Sequence, residues 1–154
     1  PVGLGKETGT RGTWLAGGDP GAGVIPGHWD TRIDVSIRRP RSQDRSFVEG
    51  ASEQDGRVGA VAVELAPDMV DLTLFVVAHE LMHTLGATDK YDASERAVVP
   101  AGLVEPNRQP LYPQAFVEVM ARNRPISQSA EAVPQTLDEL GVGEVTAREI
   151  GWLR

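Results

Sequence analysis

The chain has 154 residues, a formal net charge of −7 and no cysteine, with a pI of about 4.9. The length predicts one domain over 1–154, and the acidity argues against a nucleic-acid partner. Lack of cysteine excludes disulfides and thiolate metal sites, and no apolar run reaches the length of a membrane span.

Residues 1–30 are rich in glycine and carry almost no periodicity. Gly17-Gly18-Asp19-Pro20-Gly21 and Pro26-Gly27 are turn chemistry, with Trp14 and Trp29 as anchors on a core. His28 reads as a surface or core histidine rather than a ligand. From Thr31 to Arg38 apolar and polar residues alternate, which predicts a half-buried strand with Ile33, Val35 and Ile37 facing inward, ended by Pro40. Residues 39–57, charged and polar with Gly50 and Gly56, read as a surface excursion or long hairpin. Arg57 to Leu65 is a second strand whose continuous apolar character suits a central position, and Pro67 stops it.

The stretch from Asp71 to Asp92 carries the chemistry. Asp71 is a good N-cap for a helix that is apolar all round from Leu72 to Ala78, as a helix crossing the middle of a domain would be. His79 and His83 lie four residues apart and therefore share a helical face. Two imidazoles so placed can hold one Zn²⁺, with Glu80 in reach of a water on that metal. In an unbroken helix, position 89 would point about 120° away from His83. Gly86 in a left-handed C′ position stops the helix and lets Asp89 turn back as third ligand, leaving a fourth position open for water. With three His and twelve Glu in the chain, a chance His-Glu-x-x-His has a probability of roughly one in 200. A plain buried helix is the competing reading, and it leaves two His and a Glu costly to satisfy.

His79-Glu80-x-x-His83-x-x-Gly86-x-x-Asp89 resembles the metzincin clan of zinc endopeptidases, in the variant where aspartate replaces the usual third histidine. The run from Leu72 to Leu81 resembles the active-site helix of the matrixins, and Asp89-x-Tyr91-Asp92 resembles snapalysin and the immune-inhibitor-A-type secreted bacterial metallopeptidases. The close likeness covers about residues 71–92, with looser support downstream. It implies an α+β, metzincin-like zincin fold, in which a small twisted sheet packs on a central active-site helix, with a Met-turn and a C-terminal helix. It also implies a peptide or protein substrate extended along an edge strand, and it leans toward a secreted or extracytoplasmic bacterial protein. A metzincin normally offers several strands and a long helix before the active-site helix, whereas residues 1–70 show two convincing strands and no amphipathic helix. The expectation is therefore a cut-down fold, or a fold completed by a companion chain or a removed N-terminal region. The start at Pro1 reads as a processed product or excised domain.

About thirty residues after Asp92 read as an ordered loop with Pro100, Pro106, Pro110 and Pro113, anchored by Leu111 and Tyr112. Phe116 to Met120 resembles the Met-turn, with an ordinary core methionine as the alternative. Where the family carries tyrosine two residues after that methionine, this chain has Arg122. Tyr91, Tyr112 and Arg122 are thus all candidates for polarising the substrate carbonyl. Thr136 to Glu139 forms a candidate capping box, and Gly143 to Leu153 reads as a helix with Val145, Ile150 and Trp152 packing inward. The expected mechanism has Zn²⁺ on His79, His83 and Asp89, and Glu80 as general base. Asp92 is either a partner orienting His or Tyr91, or a solvated carboxylate. A catalytically inactive zinc-stabilised binding module and a zinc hydrolase of non-peptide substrates remain the alternatives. A structural zinc would have no need of Glu80.

Overall fold

The computed structural model describes residues 31–38, 48–52, 58–64 and 69–154; the expectations for Trp14, His28 and Trp29 lie outside them. Three strands, Arg32–Arg38 (β1), Val48–Ser52 (β2) and Val58–Glu64 (β3), form a sheet in the order β1-β3-β2. β3 is central, as its unbroken apolar run leads one to expect. β1 pairs with it in parallel, Val35 opposite Val61, and β2 pairs antiparallel, Gly50 opposite the same Val61. β2 lies within the stretch read as an excursion or hairpin. Its five residues, with a Glu and a central Gly, are too few and too mixed to show a strand period.

A helix, Val70–Thr84 (α1), lies across the sheet. Val61 and Val63 of β3 are buried against Met69, Phe75 and Val76, with Ile33, Leu72 and Val77 packed around them. Each such side chain contributes on the order of 1.5–3 kcal/mol by leaving water. Val35 and Ile37, expected to face inward, are instead 42% and 62% exposed. The reason is that α1 sits mainly on β2 and β3 and touches β1 least. Nor is α1 enclosed on every side, since Val70 and Leu74, one turn apart, are exposed. Asp71 is not the N-cap. Met69 holds that position without a side-chain bond, and Asp71 sits in the first turn, where its charge suits the helix dipole.

Beyond α1 the chain runs without long regular elements to Val117–Glu118 (β4) and Arg124–Pro125 (β5), followed by Glu131–Ala132 (β6), a 3₁₀ turn at Leu137–Glu139, Leu140–Gly141 (β7) and a short helix, Glu144–Glu149 (α2). β4 pairs with β7 and β5 with β6. The proline-rich loop is tied down by the buried Gln114. Its amide nitrogen donates to the carbonyl oxygens of Glu105 and Leu111, and its amide oxygen accepts from Glu105 N. Every polar atom of that side chain is thereby satisfied.

Two C-terminal expectations are corrected. Thr136 makes no side-chain capping bond, since Glu139 N donates to Thr136 O instead, and the Glu139 carboxylate accepts from Arg124 Nε and Gln135 N rather than reaching back to Thr136. α2 buries Thr146 and Ala147, whereas Val145 is exposed and Trp152 is 63% exposed. The helix ends at Glu149 and Gly151 turns with φ 77°, which carries Trp152 off the helical face. Ile150 does pack inward, against Met82, Ala87, Val119 and Met120. The described residues form a small mixed α/β fold with two helices and short strands, compatible with α+β.

Candidate metal centre

The last turn of α1 delivers His79 and His83, and a glycine turn delivers Asp89. Gly86 has φ 101°. Its N–H donates to His83 O at 3.0 Å, and that of Ala87 donates to Met82 O at 3.0 Å. This pair of bonds is a Schellman closure, and it reverses the chain within three residues of the helix end. Asp89 Oδ1 then stands 3.3 Å from His79 Nε2 and 3.2 Å from His83 Nε2. The two Nε2 atoms are 3.1 Å apart.

Each imidazole is fixed from behind. His79 Nδ1 donates to Val119 O and His83 Nδ1 to Ala87 O, both at 2.9 Å. A carbonyl oxygen only accepts, so in the neutral rings both Nδ1 atoms carry the proton and both Nε2 atoms present lone pairs. Three acceptors facing one another repel unless a cation or a proton lies among them. Tetrahedral bonds of about 2.0–2.2 Å to a small divalent ion need ligand atoms about 3.3–3.6 Å apart. The edges of the observed triangle, 3.1–3.3 Å, lie at or just below that range, close enough that His79, His83 and Asp89 could hold a metal ion with a small adjustment. Burial alone would raise the Asp89 carboxyl, but hydrogen bonds that Nε2–H of His79 and His83 donate when those rings carry a second proton hold it well below the usual carboxylate range. Burial likewise pulls His83 down, and its bonds to Asp89 and Ala87 more than reverse this, leaving it above 6.5.

Comparison with protein families, curated proteins and solved structures gives no match.

Glu80 is only 7% exposed and lies over β2. A Cβ placed on Gly50 would come within 2.3 Å of Glu80 Oε1 and 2.7 Å of its Cδ and Cγ. The missing side chain at Gly50 is thus the room that Glu80 occupies. Its charge acts on both His83 and Tyr91, which places it beside the triad.

Of the three residues considered for carbonyl polarisation, Tyr91 is the one at the triad. Its ring stacks on His79 at 6.4 Å between centroids, and the Asp89 charge acts on its hydroxyl. Burial first, and then the Asp89 charge, push that hydroxyl up to about 12, so it stays a proton donor at neutral pH. Arg122 lies behind it, 5.6 Å from the Tyr91 ring centroid and ion-paired with Glu95. Tyr112 lines a different pocket with Asp92, Arg96, Pro125 and Glu131, to which none of the three ligands contributes. The Asp92 carboxylate accepts from Ser94 N and Arg96 N, capping a local turn, while both imidazole Nδ1 atoms are engaged by carbonyls.

Met120 is fully buried in a tight turn closed by Ala121 N donating to Glu118 O at 2.8 Å. It shares a cluster with Met82 and Ala87, and its neighbour Val119 supplies the acceptor for His79. The Glu118 carboxylate, buried and held above its ordinary value by that burial, accepts from Met120 N and Gly143 N. Sequence reasoning missed Gly50, the Val119 and Ala87 carbonyls, and Glu118. None of them carried a signal in the sequence, since a carbonyl is common to every residue and Gly50 lies in a strand too short and mixed to show its period.

Proposed function

We propose that the chain is a zinc-dependent endopeptidase of the metzincin kind, acting on an extended peptide or protein. The observation that carries this is the convergence of His79, His83 and Asp89, with both histidines held as Nδ1–H tautomers, beside a buried Glu80. A set of two imidazoles and one carboxylate suits zinc, and the half-exposed Asp89 leaves one side of the triad facing solvent. The short reversal at Gly86, the buried Met120 turn beside His79 and the C-terminal helix support the same reading.

Zinc, when bound, would polarise the scissile carbonyl and make a water nucleophilic at neutral pH. Glu80 takes the proton from the attacking water and delivers it to the departing amine nitrogen. Packing against Gly50 holds its carboxylate in place for both transfers. Tyr91, a donor through neutral pH, is the residue positioned to hold charge developing on the carbonyl oxygen. Val119 O and Ala87 O keep the imidazoles in one tautomer throughout.

The preference for a peptide rests on β2. Among the described strands it is the outer one on the Glu80 side of the sheet. An edge strand offers backbone N–H and C=O groups that an extended peptide pairs with as an added strand. The test is cleavage of casein or a quenched peptide by purified protein with stoichiometric zinc, and again after chelation. Cleavage that chelation abolishes and zinc restores is expected. No cleavage by zinc-loaded, folded protein would overturn the proposal.

A further inference from the structure

Asp89 sits in irregular backbone, yet one side chain from the far end of the chain grips the residues on both sides of it. Thr88 N and Thr88 Oγ1 donate to Glu149 Oε2 and Oε1 at 3.0 and 2.9 Å. Lys90 Nζ donates to Glu149 Oε2 at 2.6 Å, and also to Thr88 O at 2.8 Å and Thr88 Oγ1 at 2.6 Å. Lys90 is 3% exposed, so its ammonium has given up water for these partners. The Lys90 N–H donates to Met120 O at 2.8 Å, which ties the same loop to the turn that holds His79.

We infer that the Glu149–Lys90 pair is a positioning device for the third metal ligand, preorganising Asp89 from α2. The inference rests on the metal-centre reading above. Gly86 brings the chain back toward the imidazoles, but a glycine turn sets direction rather than fixing a carboxylate to a few tenths of an ångström. The two oxygens of Glu149 hold the N–H and hydroxyl of Thr88, and Lys90 Nζ, donating to Thr88 O, fixes the peptide leading into Asp89. The Lys90 N–H, donating to Met120 O, fixes the peptide leading out. A pair serving only to fasten α2 would behave differently. Lys90 is buried while Glu149 lies at the surface; an ion pair withdrawn from water is often replaceable by apolar residues of similar size without loss of stability, whereas apolar residues cannot orient the Thr88 peptide.

The experiment separates these roles in the full chain. Zinc affinity is measured by competition with a chromogenic chelator, and geometry by the visible absorption of the Co²⁺-loaded protein. Three variants are compared, Thr88→Val, Glu149→Gln and the double Lys90→Met/Glu149→Leu, each with its metal-free melting temperature. The double variant is expected to melt near the wild type but to bind zinc about 10–100-fold more weakly, with an altered Co²⁺ spectrum. Thr88→Val, at an exposed site that leaves no buried charge unpaired, is expected to weaken zinc by about 3–10-fold. Wild-type affinity and an unchanged Co²⁺ spectrum in the folded variants would overturn the positioning role while leaving the metal centre intact. Should the double variant fail to fold, Thr88→Val and Glu149→Gln decide by the same criterion. A wild-type chain that takes up neither Zn²⁺ nor Co²⁺ overturns the metal centre, and this inference with it.

Discussion

His79 Nδ1 lies 2.9 Å from the carbonyl oxygen of Val119, forty positions downstream. The acceptor is backbone, so the tautomer of His79 depends on where the Met120 turn sits rather than on any side chain at position 119. That turn is fixed by Glu118, whose carboxylate reaches Met120 N at 2.6 Å and Gly143 N at 3.2 Å. A candidate metal ligand on α1 therefore owes its orientation to the segment between β4 and α2.

The roles of Glu80 and His83 separate cleanly by substitution. Glu80→Gln is expected to retain stoichiometric zinc while kcat/KM falls by about 10²–10⁴-fold, because an amide takes no proton. His83→Ala removes a ligand and should lose both metal and activity. Metal content by mass spectrometry alongside peptide cleavage checks the pair. Full activity in Glu80→Gln would refute the assigned base.

Gly50 offers a subtler test. The nearest atoms to an added Cβ all belong to the flexible end of Glu80, so Gly50→Ala should fold by pushing that carboxylate aside. Zinc content and melting temperature should stay near wild type while kcat drops by about 10–100-fold, the expected cost of misplacing a proton acceptor by roughly an ångström. An unchanged kcat would show that Glu80 needs no such placement.

At Gly86 the backbone itself is at stake. Its φ of 101° lies where side chains are strained, so Gly86→Ala should cost about 1 kcal/mol or more. Because the same residue aims the chain toward Asp89, zinc affinity should fall further than stability does. Chemical denaturation of the metal-free protein and zinc competition measure the two effects separately.

The pH dependence has a definite sign. His83 is raised above 6.5 in the folded protein, so its contribution to metal-free stability is present below that value and lost as pH rises through the raised pKa. Asp89 is lowered from 3.8, so its contribution is present above 3.8 and lost as pH falls. Metal-free protein should thus be most stable in the mildly acid window between them. Zinc requires deprotonated imidazoles, so the rise in melting temperature on adding it should be larger near about pH 7.5 than near about pH 5.5. Thermal melts at both values, with and without chelator, would show this. An equal zinc-dependent shift at the two values would contradict it.

The candidate site divides along sequence separation. His79, Glu80, His83, Gly86 and Asp89 were legible because helical periodicity and a glycine stop are local rules acting over at most a few residues. β3 as the central strand was legible for a similar reason, as its apolar run needs no partner to be recognised. β2 was not, and of the residues of β1 expected to face inward only Ile33 does so. Which strand the helix covers depends on packing, and the alternation of Ile33, Val35 and Ile37 does not say that α1 stops short of the last two.

What the sequence determined alone is the presence of two imidazoles on one helical face, a carboxylate between them and a second carboxylate after a turn. What only the tertiary structure decided is how those groups are held: the Val119 carbonyl behind His79, Gly50 beneath Glu80, Tyr91 rather than Tyr112 at the triad, and Glu149 on the loop of Asp89. Local pattern encodes which donor atoms exist and which face they share. The partners that orient them come from segments up to 61 residues away, brought near by burial of apolar surface, which is non-directional and leaves no period in the chain.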